Sequence, residues 1–415
     1  MKIAFFTDTY HPSLNGVTVS LDHFTKELEK KEHEVVIYAP KVKGYKDKSK
    51  NVVRISSLKV LSSEPEIRLP IPTSATVIKE IAKNDFDLVH AHGNGAFSFL
   101  GYQVARIKGV PYVLTFHTVH TKYTHYFLKG KVIKPKMIAT GLRVFANICD
   151  AILVPSKKMQ LELQSYGVKK EIAVIPNFVP IENFQVENTN FLHNLLSLPP
   201  TTPLILSVGR LGIEKNFSFL IRAFSTVAKK NSSVDLVIIG RGPEKENLWD
   251  LASKLGLSER IHFIERVEPK LMPQVYKDAA LFAFSSESET QGVCVLEAAS
   301  SGLPLVVAND LAYDGVIENE VNGYFLPLSI LAFSDAILKL LEDVTLREKM
   351  GKASHDLAQK NFNGTDITTN LISIYEQVLS KHKVSRRIIK KVNEIALARI
   401  IRMKQGLDKF LSYEY

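Results

Sequence analysis

Residues 285–304, SSESETQGVCVLEAASSGLP, lie between two apolar runs, residues 279–284 and 304–308. Runs of this length and composition are typical of strands that are buried on both faces of a parallel sheet. The quoted stretch therefore begins at the carboxyl end of one strand and leads through a short helix into the next. Open α/β sheets bind their ligands at that edge. The sequence thus predicts a parallel sheet with a ligand site in this loop.

Two acidic residues in this stretch could hold different parts of one polar ligand. Glu289 lies in the loop and Glu297 in the helix, and Gly292 between them lets the backbone approach a ligand closely. Backbone amides after Gly292 would lie near a helix start, which favours an anion such as phosphate. The competing interpretation is a solvated acidic loop followed by an ordinary helix acid.

Apolar runs alternate with helical stretches over most of the chain. Strands are predicted at residues 1–6, 34–39, 88–92, 111–116, 151–155, 173–176, 204–208, 234–239, 261–264, 279–284 and 305–308. The first is followed by a loop over residues 8–18 and a helix from about Val19. The pattern is lost around residues 187–203, where Asn and Pro gather, and then restarts. We therefore predict an α/β fold with two Rossmann-like doubly wound domains that face a central cleft.

We place the first domain at residues 1–196 and the second at residues 197–362. Residues 363–415 would form a helix that returns to the first domain, followed by a basic amphipathic tail. A chain of 415 residues with 45% hydrophobic and 23% charged content is long enough for two or three packed cores.

The cysteine content and the lengths of the apolar runs indicate in which cellular compartment the protein works. The two cysteines, Cys149 and Cys294, are far apart, which argues against a disulfide framework or a cysteine metal cluster and suits a reducing compartment. The first residues enter a strand at once, and no apolar run approaches the ~18 residues that a membrane span needs. We expect a cytoplasmic protein.

The net charge of +10 is concentrated near the carboxyl terminus. Residues 381–415 hold ten Lys and Arg against three acids, a net charge of +7, which leaves +3 for the rest. A basic terminal segment indicates a phosphate-bearing polymer or an anionic membrane surface as partner.

Two cations follow the first strand of the second domain. Arg210 comes directly after the strand and Lys215 lies in the next loop. A guanidinium fork and an ammonium group can neutralise a diphosphate leaving group without a metal. The alternative is a pair of surface cations before a helix. Residues 240–243, Gly-Arg-Gly-Pro, form a second close-approach turn but lack the third glycine of a dinucleotide site, which argues against an oxidoreductase.

No metal site is predicted. Asp85-Phe86-Asp87 has the spacing of a nucleotide-sugar metal motif, but it precedes a strand and so would face away from the cleft. His117, His120 and His125 fit no common zinc-ligand spacing. We expect His117, directly after a strand, to point into the cleft as a polar contact.

In combination these residues resemble the retaining nucleotide-sugar glycosyltransferases of the GT-B fold, with glycosyltransferase family 4-like and glycosyl transferases group 1 domains. The resemblance extends to about Tyr375 and rests on the order of Asn15-Gly16-Val17, His117, Arg210 with Lys215, residues 240–243, and Glu289 with Glu297. Residues 16–18, 92–101 and 116–137 are most similar to bacterial enzymes that glucosylate diacylglycerol. One departure is Asn177-Phe178-Val179, where a glycine would be expected after the asparagine.

The resemblance implies roles for individual residues. Arg210 and Lys215 would hold the donor diphosphate, Glu297 the ribose and Glu289 the sugar hydroxyls, while His117 would lie beside the reacting carbon. The catalytic residues would be His117, Glu289, Arg210 and Lys215. The donor-binding residues would be Gly16, Val17, Arg210, Lys215, Arg241, Gly242, Pro243, Val267, Glu289, Gln291, Gly292, Val293 and Glu297.

The implied reaction is transfer of glucose from UDP-glucose to the hydroxyl of 1,2-diacylglycerol, giving an α-glycolipid without a required cofactor. The sequence shows no nucleophile beside a base, so we expect same-face attack rather than a covalent intermediate. A transferase for a soluble or polysaccharide acceptor is the alternative. A nucleic-acid-binding protein would leave the paired glutamates and both sheet domains unexplained, so no nucleic-acid partner is expected.

Two stretches could hold the enzyme on the inner face of the cell membrane, where anionic lipid could stimulate it. The first mixes aromatic residues with cations: Tyr123, Tyr126, Phe127, Lys129, Lys131 and Lys134. The second, residues 384–411, places apolar residues at helical spacing beside several cations. For the second stretch, the alternative is packing of the apolar face on the protein.

Overall fold

The computed structural model describes residues 1–13, 15–47, 49–59, 68–70, 84–118 and 135–382. Over these residues the chain forms two large parallel sheets with helices packed on them. The predicted α/β architecture with two doubly wound sheets is therefore confirmed. Residues 119–134, which include the predicted aromatic and basic membrane stretch, and the tail 383–415 lie outside the described residues, as do His120 and His125.

The first sheet contains seven parallel strands in the order β3-β2-β1-β6-β7-β8-β9 within the described chain. Its strands are β1 (Lys2–Thr7), β2 (Glu34–Pro40), β3 (Val52–Ile55), β6 (Leu88–His92), β7 (Tyr112–Thr115), β8 (Ala151–Val154) and β9 (Ile172–Val174). A small antiparallel pair consists of β4 (Ser57–Lys59) and β5 (Arg68–Pro70). The helices of this half are α1 (Gly16–Lys30), α2 (Ala96–Lys108), α3 (Pro135–Ile148) and α4 (Lys157–Ser165).

The second sheet contains six parallel strands in the order β12-β11-β10-β13-β14-β15 within the described chain. Its strands are β10 (Leu204–Val208), β11 (Asp235–Ile239), β12 (Ile261–Ile264), β13 (Leu281–Phe284), β14 (Leu305–Ala308) and β15 (Gly323–Leu326). The helices are α5 (Phe191–Leu196), α6 (Phe217–Lys230), α7 (Lys245–Lys254), α8 (Met272–Lys277), α9 (Val293–Ser300), α10 (Ile330–Glu342) and α11 (Val344–Asn361). Helix α12 runs from residue 364 to residue 382.

The strand order reverses once in each sheet, and a ligand is expected to bind at the carboxyl ends of the strands on either side of that reversal. The reversal lies between β1 and β6 in the first sheet and between β10 and β13 in the second. Loops leave such neighbouring strands toward opposite faces of the sheet and open a crevice at their carboxyl ends. The loops after β1, β6, β10 and β13 therefore border the cleft.

Side chains bridge both reversals by bonding to backbone groups. In the first sheet, Asp8 after β1 accepts hydrogen bonds from the amides of Gly95 (3.0 Å) and Phe97 (2.9 Å) at the start of α2. In the second, the Ser285 hydroxyl after β13 donates to the carbonyl of Asn216 (2.8 Å). These bonds hold the loops of neighbouring strands together at the edge where a ligand would enter.

Helix α1 begins three residues earlier than the sequence pattern predicted. Asn15 adopts an extended backbone, and its side-chain oxygen accepts hydrogen bonds from the amides of Val17 (3.1 Å) and Thr18 (3.0 Å). An asparagine that satisfies these orphan amides stabilises a helix start. The predicted loop over residues 8–18 thus ends at Asn15, and Gly16 and Val17 form the first turn of α1.

The connection between the sheets is held by the second domain. Asp278 accepts hydrogen bonds from the backbone amides of Leu192 (2.7 Å) and His193 (3.1 Å) at the start of α5. Helix α5 consequently packs beside α8, on the far side of the predicted division between residues 196 and 197. That division stays a prediction.

Helix α12 reaches back to the first sheet. The hydroxyl of Tyr375 lies 2.6 Å from Nδ1 of His90 in β6, and Nε2 of His382 lies 3.0 Å from the carbonyl of Gly109. Tyr375 is fully buried. The end of the described chain is therefore built into the first domain.

Buried polar contacts also join the two halves directly. The amide of Gln291 donates to the carbonyl oxygen of Asn177 and accepts from its N–H, both at 2.7 Å. The Asn177 side chain in turn accepts from the hydroxyl of Ser20 in α1 (2.6 Å). Lys158 of α4 forms an ion pair with Asp310 of the second domain.

We expect Asp8→Ala to lower the free energy of unfolding by about 1–2 kcal/mol, because it removes the acceptor for two amides at the start of α2. Chemical denaturation of the purified variant measures this change. The matched control is Asp85→Ala, whose exposed ion pair with Lys108 should contribute less than about 0.5 kcal/mol. Equal losses in the two variants would contradict the capping role of Asp8.

Candidate active site

Lys215 and Glu289 form an ion pair at the edge of the second sheet. Lys215 ends a short 3₁₀ turn (Ile213–Lys215) after β10, and Glu289 lies in the loop after β13. Both side chains are largely buried, with 16% and 11% of their surfaces exposed. The loops meet because the Ser288 hydroxyl donates to the carbonyl of Glu214 (2.9 Å). The structure thus brings together two residues that the sequence predicted for one donor site.

Arg210 lies on the same edge, two residues after the end of β10, and it is exposed. The amide of Leu211 donates to the carbonyl of Arg241 (2.8 Å), so the loops after β10 and β11 run in contact. A Cβ at Gly240 would lie 1.8 Å from the carbonyl oxygen of Gly209, and only glycine permits this approach. The glycine turn at residues 240–243 therefore packs loop against loop beside Arg210.

Glu297 lies on α9, and one of its carboxylate oxygens accepts a hydrogen bond from the hydroxyl of Tyr276 (2.6 Å). Burial raises the pKa of Glu297 to about 7, although the Tyr276 hydrogen bond opposes the shift. Part of the residue remains accessible. A carboxyl held by one oxygen keeps the other for a ligand, which suits contact with hydroxyl groups.

Gly292 sets the direction of α9. Its φ of +73° is left-handed, and a Cβ there would lie 2.4 Å from the ring of Tyr313. The Tyr313 hydroxyl donates to the carbonyl of Ser286 (2.8 Å), so this ring also supports the loop that carries Glu289. Val293, the first residue of the helix, is half-buried. The predicted arrangement of a loop acid, a glycine and a helix acid is present.

The side chain of Gln291, which was predicted to contact the donor, is bonded to the first domain in this structure. Its side chain is only 2% exposed, and both ends of its amide bond to the backbone of Asn177. The residue joins the two domains instead of facing the cleft. A glutamine in a loop after a strand has the same local sequence whether it binds a ligand or joins two domains. Only its bonding partner, which is distant in the sequence, distinguishes the two roles.

The remaining predicted donor residues lie at the start of α1 and in the loops after β11 and β12. Gly16 is exposed at the start of α1, where a Cβ would meet nothing within 4 Å, and Val17 is half-buried. Arg241 is exposed and lies 3.5 Å from Glu265. Pro243 is also exposed, whereas Gly242 and Val267 are half-buried.

His117 is buried and lies two residues beyond the carboxyl end of β7. Its Nε2 lies 3.2 Å from Nδ1 of His92 at the end of β6. Burial lowers the pKa of His117 to about 4, so the ring is neutral at pH 7. The contact with His92 was not predicted, although two histidines separated by one residue at the end of β6 were visible in the sequence.

Two further residues of the site escaped sequence analysis. Tyr276 lies on α8, 21 residues before the carboxylate that it bonds, and nothing near it in the sequence indicates that contact. Lys158 donates to the carbonyl of Glu287 (3.0 Å) from the opposite domain.

Within the described ranges, no group of three or more His, Cys, Asp or Glu side chains is arranged to hold a metal ion. Asp85 and Asp87 lie before β6, at the edge away from the cleft. Asp87 accepts a hydrogen bond from the amide of Lys2 (2.7 Å), and Asp85 pairs with Lys108 at 3.2 Å. Asp87 thus joins the residue before β6 to the start of β1, and Asp85 pairs with the end of α2.

Two known protein families match this chain, one in each half. Glycosyltransferase Family 4 matches residues 14–183, and Glycosyl transferases group 1 matches residues 189–356. Together the two matches cover most of the chain and divide it as the two sheets do. The chain belongs to the GT-B glycosyltransferases.

Individual relatives and structures agree with this assignment. This glycosyltransferase is 29% identical over 407 residues to alpha-monoglucosyldiacylglycerol synthase of Streptococcus pneumoniae, covering 94% of this chain and 91% of that relative. The synthase of the same name from Acholeplasma laidlawii is 28% identical over 339 residues, covering 78% and 84%. The structure of Anabaena Alr3699/HepE in complex with UDP has a TM-score of 0.72 at 19% identity and covers 91% of this chain and 100% of that one.

The raised pKa of Glu297 should make the stability of the glycosyltransferase depend on pH. Between its ordinary value of 4.5 and about 7, the folded carboxyl keeps a proton that the unfolded chain releases. The free energy of unfolding should therefore fall as the pH rises through this range. In Glu297→Gln, which cannot release a proton, this part of the fall should vanish.

Urea denaturation of both proteins at several pH values measures the difference. Glu259→Gln, a change on the exposed surface, is the matched control and should follow the wild type. An identical pH dependence in wild type and Glu297→Gln would show that Glu297 titrates normally.

Proposed function

We propose that this protein is a retaining glucosyltransferase that moves glucose from UDP-glucose to the hydroxyl of a diacylglycerol-type lipid, giving an α-glycolipid. The proposal that the protein binds a nucleotide-sugar donor rests on the Lys215–Glu289 ion pair beside Arg210. These residues lie at the carboxyl edge of the second sheet, where its loops border the cleft. Two cations suit a diphosphate, and a carboxylate in contact with one of them suits sugar hydroxyls. The UDP bound by Anabaena Alr3699/HepE supports a uridine nucleotide.

In this proposal the donor separates the residues of the ion pair. Lys215 turns to the diphosphate together with Arg210, and Glu289 accepts hydrogen bonds from the sugar. Glu297, held at one oxygen by Tyr276, binds the ribose with the other. The amides at Gly16 and Val293 approach the phosphate and sugar, while Arg241, Gly242, Pro243 and Val267 border the base.

The chemical step in this proposal is same-face attack. The acceptor hydroxyl gives its proton to the departing phosphate oxygen while its own oxygen bonds to the anomeric carbon. Arg210 and Lys215 stabilise the negative charge that grows on the diphosphate, as preorganised cations do in other transferases. Positive side chains at the leaving group let the reaction proceed without a required metal. His117 lies beside the reacting carbon.

The acceptor is inferred from the relatives. Both synthases act, by their names, in forming monoglucosyldiacylglycerol, and the first covers nearly the whole of this chain. A lipid acceptor requires contact with a bilayer. In the described residues no helix is long and apolar enough to span a membrane. We propose peripheral binding to the inner face of the cell membrane through the aromatic and basic stretch at residues 123–134 and the tail.

The second candidate is the same transfer to a soluble or polysaccharide acceptor. The first test is release of UDP from UDP-glucose by the purified protein, with diacylglycerol in anionic mixed micelles or without lipid. Lipid-dependent release with a glycolipid product supports the proposal. Release without lipid dependence supports the second candidate, and no release calls for other nucleotide sugars.

We expect Arg210→Ala and Lys215→Ala each to lower kcat by ~10²-fold or more, because each removes charge stabilisation from the leaving diphosphate. Steady-state UDP release measures this change. The matched control is Arg222→Ala, an exposed arginine of α6 on the surface of the second domain. Near-normal turnover of Arg210→Ala would remove its proposed role.

We expect removal of residues 384–415 to weaken binding to anionic liposomes, because the truncation removes eight Lys and Arg against three acids, a net charge of +5 out of the +10 of the chain. Sedimentation with vesicles of phosphatidylglycerol and phosphatidylcholine measures bound protein, and pure phosphatidylcholine vesicles are the control. Unchanged sedimentation would show that the tail is not the membrane contact.

A further inference from the structure

Three buried histidine rings form a row from the carboxyl end of β7 to helix α12. The ring centroids of His117 and His92 are 5.5 Å apart, and those of His92 and His90 are 4.1 Å apart. At the far end, His90 lies 2.6 Å from the hydroxyl of Tyr375. The proposed reaction uses His117 but assigns nothing to His90 or His92.

We propose that His92 is a positioning residue that fixes the tautomer and ring orientation of His117, so that His117 presents its Nδ1 hydrogen to the bound sugar. The direct link is the 3.2 Å hydrogen bond between His92 Nδ1 and His117 Nε2. His92 is only 2% exposed and acts through His117 rather than on the substrate. The sugar contact rests on the proposed function, whereas the hydrogen bond and its direction do not.

The direction of this hydrogen bond follows from the other nitrogen of His92. Its Nε2 is buried and has no hydrogen-bond partner among the described residues. If His117 donated, the neutral His92 ring would carry its proton on Nε2, as a buried N–H without an acceptor. If His92 donates from Nδ1, its Nε2 carries no hydrogen and is only an unused acceptor. Buried N–H groups without an acceptor are rarer than buried acceptors without a donor, so donation by His92 is favoured. The second arrangement places the proton of neutral His117 on Nδ1.

The surroundings keep His92 in this position. The Phe5 ring meets the His92 ring edge-on with centroids 4.6 Å apart, and the His90 ring centroid lies 4.1 Å from that of His92. His90 is itself held at both ring nitrogens, by the hydroxyls of Thr115 (2.7 Å) and Tyr375 (2.6 Å). A ring packed among fixed rings cannot reorient without disturbing its neighbours.

Burial keeps all three rings uncharged near neutral pH. It lowers the pKa of His90 to about 3 and that of His117 to about 4, and it lowers the pKa of His92 well below its ordinary value. A neutral imidazole has one donor and one acceptor nitrogen, so a hydrogen-bonded neighbour determines which of the two nitrogens carries the hydrogen. The row can therefore set a tautomer over the whole working pH range.

The first test is a direct measurement of the tautomer. Nitrogen NMR of the full-length protein labelled with ¹⁵N-histidine, with the signals of His117 assigned by loss in His117→Gln, distinguishes a proton on Nδ1 from one on Nε2. We expect Nδ1–H in the wild type and a mixture of tautomers in His92→Leu. A proton on Nε2 of His117 in the wild type would overturn the inference, and this readout needs no enzymatic activity.

The second test separates positioning from folding. We expect His92→Leu to lower kcat by ~10-fold with little change in KM for the donor, because the group beside the reacting carbon loses its orientation. An asparagine amide can occupy the place of Nδ1, so His92→Asn should recover most of kcat. The matched control is His33→Leu, a histidine that contacts the amino terminus. Equal loss in the Leu and Asn variants, or no loss in either, would contradict the positioning role.

The failure of the two proposals can be told apart. If the wild type transfers no sugar to any acceptor tested, the proposed function fails, while the NMR result still decides the direction of the hydrogen bond. If His117→Gln is impaired and His92→Leu is not, the reaction stands and the positioning role of His92 fails.

Discussion

The paired hydrogen bonds between the Gln291 amide and the backbone of Asn177 are the contact on which the cleft depends. Both bonds are buried, so separating them would leave peptide and amide groups without partners, and each such group costs roughly 1–3 kcal/mol. Asn177 is also bonded to Ser20 of α1. One chain of contacts thus runs from the loop that carries Glu289 to the helix that begins at Gly16. The positions of the donor-facing loops in the two domains are linked through it.

Other long-range contacts also fix the positions of the site loops in the two domains. Lys158 reaches from α4 to Asp310 and to the carbonyl of Glu287, so it supports the Glu289 loop from the opposite domain. Tyr375 ties α12 to the row of histidines in the first sheet. These contacts join residues more than a hundred positions apart in the chain. The two halves of the site are therefore positioned by side chains that are not themselves expected to touch substrate.

Much of the fold could be predicted because its signals are local. Apolar runs buried on both faces identified the strands that carry the site, and the restart after residue 203 identified a second sheet. The loop position of Glu289 and the helix position of Glu297 followed from the same periodicity. The start of α1 was placed too late, since capping by Asn15 outweighed the apolar pattern. Gln291 was assigned to the donor because its neighbours in the loop were.

The sequence by itself determined the parallel sheets, the edge at which their loops gather, and the acids and cations available there, because strand periodicity and turn residues act over a few neighbouring positions. Only the tertiary structure decided which of these side chains meet. The pairing of Lys215 with Glu289, the Tyr276 hydroxyl on Glu297 and the stacking of His92 on His117 all join different strands or helices. Such contacts depend on how the elements pack in space, and the distance between two residues along the chain carries no information about that packing.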